Sequence, residues 1–145
     1  MPDQQIRTRP ARLDDADQVW PLAHAFATSF TPEHAAFNTT WPQLVDVPGT
    51  LLLVAETPEA NIVGYLLAST HLTFLANGRV AWIEELMVDE SHRGSGIGRL
   101  LMTHAEDWAT SEGAAYVSLA SRRAGPFYQT LNYEDSAVFF KKNLH

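Results

Sequence analysis

The chain has 145 residues, 46% hydrophobic and 19% charged, with ten Lys and Arg against 17 Asp and Glu and no cysteine. A chain of this size suits one domain, because folding near 150 residues buries roughly 68–70% of the unfolded surface. The missing cysteine excludes a disulfide scaffold, a thiolate metal site and a cysteine nucleophile, and a net charge of −7 argues against a nucleic-acid binder.

Apolar runs such as Leu51–Ala55 fall far short of the ~20 residues that span a bilayer. The Met1–Gln5 start lacks the basic and apolar regions of a signal peptide. The expectation is a cytoplasmic protein with no membrane partner, a loose start over residues 1–5 and a single domain over 6–145. Charge is uneven along it. Residues 1–92 carry four arginines against twelve acids, a balance of −8, whereas residues 93–145 carry six cations against five acids, a balance of +1. The first part suits a cationic ligand and the second an anion.

Ile6–Arg12 alternates weakly and predicts a short strand, ending at the capping signal Asp14 with Asp17 three residues on. A helix from about Asp15 follows, which Pro21 is expected to kink or end. Phe26–Val47 predicts a second, irregular helical region broken by Pro32 and Pro42 and followed by Pro48; Trp20, Phe26, Phe30, Phe37 and Trp41 make the helical stretch rich in aromatics that are core or line an acceptor cleft. Thr50–Glu56 and Ile62–Phe74 read as strands joined by a turn over residues 57–61, and Asn77-Gly78 as a hairpin into Arg79–Val88. After a loop dense in Gly, Ser and charge, Leu101, Ala105 and Trp108 recur at helical spacing over Arg99–Glu112, with Gly113 as the stop. Ala115–Ala120 reads as a strand, Gly125–Leu131 as a helix and Ala137–Leu144 as a last strand. The fold class expected is α/β (α+β type): a three-layer α/β/α arrangement around a mixed, mostly antiparallel sheet of about six strands.

The sharpest motif is Arg93-Gly94-Ser95-Gly96-Ile97-Gly98, between a predicted strand and the first turn of a predicted helix. Its glycines allow positive φ and close approach of a ligand, and a helix start offers unpartnered N–H groups and a positive dipole end to an anion. Arg93 and Arg99 add charge on either side. A dinucleotide fingerprint would need glycine where Arg99 stands, and the Lys-Ser/Thr ending of the nucleotide-hydrolase loop is missing.

Arginine, two residues, glycine, one residue, glycine, after Leu86-Met87-Val88 and before Arg99-Leu100-Leu101, closely resembles the coenzyme A signature of the GNAT N-acetyltransferase superfamily. Downstream, Arg123-Ala124-Gly125-Pro126-Phe127-Tyr128 with Leu131 resembles the family's segment of an Ala followed by a Phe-Tyr pair, and the order of elements agrees over nearly the whole chain. The resemblance implies the acyltransferase fold, acetyl-coenzyme A as co-substrate, loop amides on its pyrophosphate, and the backbone of Leu86, Met87 and Val88 along its pantetheine arm. Two departures stand out. Ser121 occupies a position where many members have Asn, with a coenzyme or capping contact at stake, and Asn132-Tyr133 replaces a common Gly-Phe.

Acetyl transfer to an amine of pKa ~10.4 first requires removal of a proton. Glu84 and Glu85 are the candidates on the strand before the loop, and alternation sends them to opposite faces. Counting in twos from Val88 groups Glu84 with Leu86, Trp82 and Val80, and Glu85 with Met87, Ile83 and Ala81, so each acid interrupts an apolar row. Glu84 matches the glutamate that some members of the family use as general base, often through water, while Glu85, Trp82 and His71 are candidates on the acceptor side. Tyr128 matches the family's catalytic tyrosine and would hydrogen-bond the departing thiolate; the N–H of Met87 or Val88 would serve the thioester oxygen. The six histidines show no metal-ligand spacing, so no metal is expected.

Taken together, these features predict an N-acetyltransferase acting by direct transfer on a small, cationic primary amine: a polyamine-like compound, an amino acid or an aminoglycoside. Acetylation of a protein N-terminus or lysine and a non-catalytic coenzyme-binding regulatory domain are the competing readings. A homodimer sharing the Val138-Phe139-Phe140 edge is a further expectation.

Overall fold

A computed structural model describes residues 5–27, 30–122 and 124–145. Strand β1 (Arg7–Pro10) leads through a 3-10 turn (Leu13–Asp15) into α1 (Ala16–Phe26) and α2 (His34–Leu44). Three antiparallel strands follow, β2 (Thr50–Glu56), β3 (Ile62–Thr73) and β4 (Gly78–Val88). A second 3-10 turn (Glu90–His92) precedes α3 (Ile97–Ser111), then come β5 (Val117–Leu119) and α4 (Gly125–Thr130). The sheet runs in the order β1-β2-β3-β4-β5, antiparallel except for the parallel β4–β5 pair.

Apolar residues cover both faces of this sheet, as a sheet between two helical layers requires. On one face Ile97, Leu101, Met102 and Ala105 of α3 pack on Leu53, Leu66 and Ile83. On the other, Val19 and Leu22 of α1 and Trp41 of α2 pack on Leu52, Val54 and Tyr65. β1 is tied to β2 by a network of low exposure. Arg9 donates to Asp15 at 2.8 and 3.0 Å and to Glu56 at 3.1 and 3.2 Å, with Arg7 on Glu56 from outside at 3.2 Å.

Several expectations are corrected. α1 continues through Pro21 to Phe26, held by Val19 and Leu22 on the sheet, and α2 runs through Pro42. The hairpin before β4 is a four-residue turn: Asn77 N–H donates to Phe74 C=O at 3.2 Å, and Asn77 takes the left-handed conformation at φ 59 while Gly78 already belongs to β4. Ala137–Leu144 forms no strand, so the sheet has five strands. That segment docks by its side chains instead, Phe139 stacking on Trp82 at 6.3 Å between centroids and Lys141 Nζ lying 5.4 Å from the centre of the Phe30 ring. Val138, Phe140 and Leu144 stay exposed.

Candidate active site

β4 is paired on both edges only in its first half. Its parallel contacts with β5 run from Ala81↔Val117 to Ile83↔Leu119, while its pairing with β3 continues to Gly64↔Val88. Beyond Ile83 its second edge faces a cleft of about 1210 Å³, lined by residues 83–87, residues 119–122, Tyr128 and Arg93. In an antiparallel ladder alternate residues send N–H and C=O to the same neighbour. Asp89 N–H donates to Val63 C=O at 2.8 Å, so Met87 turns its backbone groups to β3, and Leu86 and Val88 turn theirs to the cleft. The Val88 N–H therefore faces away from β3 and the Met87 N–H faces toward it. The Val88 carbonyl accepts from Arg93 Nε at 3.0 Å, which draws Arg93 back along the strand end.

The turn that follows is held by its own polar groups. The Asp89 carboxylate accepts from Ser91 Oγ at 2.5 Å and pairs with His92 Nδ1 at 3.0 Å, bonds that hold its pKa below the usual range. Gly94 and Gly96 have φ of 82 and 89, and a Cβ at either would meet nothing within 4 Å. These two glycines therefore serve the left-handed backbone rather than crowding. Gly98 differs: a Cβ there would lie 3.0 Å from Phe127 Cζ, so its bareness lets α4 pack on the first turn of α3. Ser95 Oγ donates to His92 C=O at 2.6 Å, the Ile97 side chain is core, and Arg99 is exposed. Across the cleft Ser121 Oγ accepts from Ala124 N–H at 3.0 Å, which closes the loop before α4, while the first turn of α4 has no side-chain cap. Arg122 lines the cleft; Arg123 lies outside the described residues. Asn132 is left-handed at φ 71, a conformation Asn tolerates where Gly is common.

The two glutamates do not alternate as a regular strand would place them. Leu67 pairs with Glu85 but Ala68 pairs with Ile83, which makes Glu84 the extra residue of a β-bulge. The bulge reverses the phase of the strand. Ile83 packs on the α3 side with Leu86 and Val88, not on the face of Glu85 and Met87 as counting in twos implies. Glu84 is exposed on the cleft wall. Glu85 is the acid that enters apolar surroundings: burial pushes its carboxyl pKa up, the hydrogen bond from Tyr65 Oη at 2.7 Å draws it down, and the charge of Glu84 adds to the rise. Burial and the Glu85 charge likewise raise the Tyr65 phenol. Tyr65 escaped the sequence reading. Its signal is a tyrosine in a run of buried β3 residues, which needs a partner for its hydroxyl.

Tyr128 sits on the cleft wall, its ring against Phe127 and Tyr133 and its phenol pKa raised by burial. Among the described residues its hydroxyl has no hydrogen-bond partner. Trp82 contacts the site through Phe139, a cleft residue. His71 is exposed on β3 opposite Val80 and lines neither this cleft nor the smaller cavity beside it. Among the described residues no group of three or more His, Asp or Glu could hold a metal ion, and no helix is long and apolar enough to cross a membrane.

A parted central strand ending in a glycine turn before a helix is a specific arrangement, and the comparison with known families agrees with it. The model of the acetyltransferase (GNAT) family matches residues 15–133. The chain belongs to this family. A protein similar to it in sequence is the glucosamine 6-phosphate N-acetyltransferase of Trypanosoma brucei brucei, 35% identical over 78 residues that make up 52% of this chain and 53% of that protein. Another relative is the streptothricin acetyltransferase of Streptomyces lavendulae, 45% identical over 51 residues, 32% of this chain and 27% of the relative. The chain thus spans about half of the first relative and about a quarter of the second. The glucosamine-6-phosphate N-acetyltransferase structure from Arabidopsis thaliana superposes with a TM-score of 0.85 at 18% identity, covering 97% of this chain and 99% of that one. That likeness establishes the GNAT fold.

Proposed function

We propose that the protein transfers an acetyl group from acetyl-coenzyme A directly to the primary amine of a small cationic acceptor. The observation that carries this reading is the parting of β4 from β5 beyond Ile83. It gives one cleft an outward-facing strand backbone, a glycine turn at one end, two acids and a tyrosine.

The site suits the coenzyme. Two left-handed glycines with free space around them and the start of a 15-residue helix form an anion cradle, and Arg93, Arg99 and Arg122 supply cations near it. In this reading Gly94, Ser95, Gly96, Ile97 and Gly98 hold the pyrophosphate by their amides, and Leu86 and Val88 hold the pantetheine arm by their backbone. The bound coenzyme supplies the activated acetyl thioester.

The chain's own groups then handle the protons. Glu84, exposed at the bulge, takes the ammonium proton and has open access to water for its release, directly or through a water molecule. Glu85 meets the acceptor's positive charge: a carboxyl whose ionisation is opposed by burial gains from an ammonium the counter-charge it lacks. The Val88 N–H is oriented toward charge developing on the thioester oxygen. Tyr128 Oη donates a hydrogen bond to the departing sulfur, and because burial raises its pKa it serves as a bond donor more than as a full acid.

Thiol release measured over a panel of amines, with the products identified by mass, tests the assignment. N-acetylated product that is lost in Glu84→Gln is the expected outcome. Coenzyme binding by calorimetry without turnover on any amine would favour a regulatory domain, and ping-pong product inhibition would overturn direct transfer.

A further inference from the structure

Beneath α1 and α2, on the sheet face opposite α3, lies a second cavity of about 410 Å³. Its walls are apolar, with Phe37, Trp41 and Leu44 of α2 above Leu52 and Leu67 of the sheet. Phe26 and Glu85 border both this cavity and the main cleft, so the two spaces adjoin across these two residues. Among the described residues lining it there is no Lys, Arg or His, and its charged groups are Glu85 and, on α2's entry, Glu33. Glu85 Oε1 accepts from Tyr65 Oη, while Oε2 has no hydrogen-bond partner among the described residues.

We propose that this cavity holds the body of the acceptor and that the acceptor is a primary amine on an apolar aryl-alkyl or alkyl frame, its ammonium against Glu85 where the cavity meets the cleft. The inference rests on the acetyltransferase reading above and narrows it. The described lining offers an anionic phosphosugar no cation, Lys141 standing outside it with Nζ 5.4 Å from the centre of the Phe30 ring, and polyol hydroxyls would face mostly aromatic and aliphatic side chains. A polyamine would place its inner ammonium groups on the same apolar walls. A phenyl or alkyl group gains from burial there, and its single charge has a single partner.

Binding can be read apart from turnover by saturation-transfer NMR on the protein loaded with coenzyme A. The ligands are 2-phenylethylamine, hexylamine, glucosamine 6-phosphate and spermidine, with neutral 2-phenylethanol as the charge control. Expected are tightest binding by the first two and, with acetyl-coenzyme A, the highest kcat/KM for the same pair. Ala36→Trp, at an exposed α2 position lining the cavity, should weaken 2-phenylethylamine at least about tenfold while coenzyme affinity is unchanged. Thr40→Trp is the second filling variant should the first not fold. Glu85→Gln should weaken the amine about tenfold and leave 2-phenylethanol unaffected. Preferential binding of the phosphosugar or spermidine, or filling variants indistinguishable from the parent, would overturn the cavity assignment even if amines are acetylated. Arylalkylamine binding without any acetylation would support the cavity and sink the catalytic reading instead.

Discussion

Glu84 and Glu85 are neighbours in sequence with different surroundings, and their substitutions should separate accordingly. Glu85 has a carboxyl pKa raised by burial, so its contribution to folding is fully present below the unfolded value of ~4.3 and is lost as pH rises through the folded value. Glu85→Gln removes a half-buried charge and keeps a group that can accept from Tyr65. Its melting temperature should exceed that of the parent at pH 7, and the gap should close near pH 4; a variant less stable at pH 7 would mean that the carboxylate is held by partners stronger than Tyr65. At Tyr128 the expected result is kinetic. Tyr128→Phe should lower kcat by about 10² with little change in coenzyme affinity if, as proposed, its hydroxyl bonds the departing sulfur; an unchanged rate would leave the ring a packing residue. The acids were legible in the sequence because charges interrupting an apolar strand are costly. Which of them is the more withdrawn from solvent is not legible, because a one-residue bulge reverses the alternation without altering the pattern of residue types. Tyr65 was hidden for a related reason, since its partner lies on the next strand and depends on register.

At the scale of elements, the turn from β4 into α3 was the part most open to sequence reading. Its geometry follows from local needs: left-handed backbone at Gly94 and Gly96, and an uncapped helix start. Gly96→Ala should cost roughly 1–2 kcal/mol in stability for a side chain at φ 89, and calorimetry should find coenzyme binding weakened with it. Gly98→Ala has no such backbone strain and acts by displacing the Phe127 ring, so the two variants distinguish conformation from packing. Reading failed where long-range contacts decide. Pro21 and Pro42 look like breaks, yet α1 and α2 run through them because their apolar faces are held on the sheet. Ala137–Leu144 has the composition of a strand, but pairing needs a neighbouring edge as well as a propensity, and β5 extends for three residues.

Across the whole molecule, the N-terminal strand is secured by charge rather than by apolar burial. Arg9, Asp15 and Glu56 are largely withdrawn from solvent, with side-chain exposures of 12%, 7% and 9%. At Asp15 burial opposes ionisation, but bonds from Arg9 and the Arg12 N–H hold the pKa below its ordinary value. Glu56 is lowered by Arg9 first, against burial, and further by Arg7. Both contributions are present above the unfolded pKa values of ~3.9–4.3 and are lost as pH falls through the folded ones. Arg9→Met leaves two buried acids short of a cation and should cost about 3–5 kcal/mol by urea denaturation at pH 7, with a smaller difference near pH 3. An equal loss at both pH values would show that Arg9 acts through packing alone. The three-layer architecture itself has a consequence for how such a protein diversifies. The glycine turn and Tyr128 belong with α3 and α4 on one side of the sheet, the second cavity with α1 and α2 on the other, and β4 contributes to both through opposite faces. α1 borders both spaces through Phe26, whereas α2 lines the second cavity and not the main cleft, so drift in α2 can refit the acceptor side while leaving the residues around the glycine turn and Tyr128 as they are.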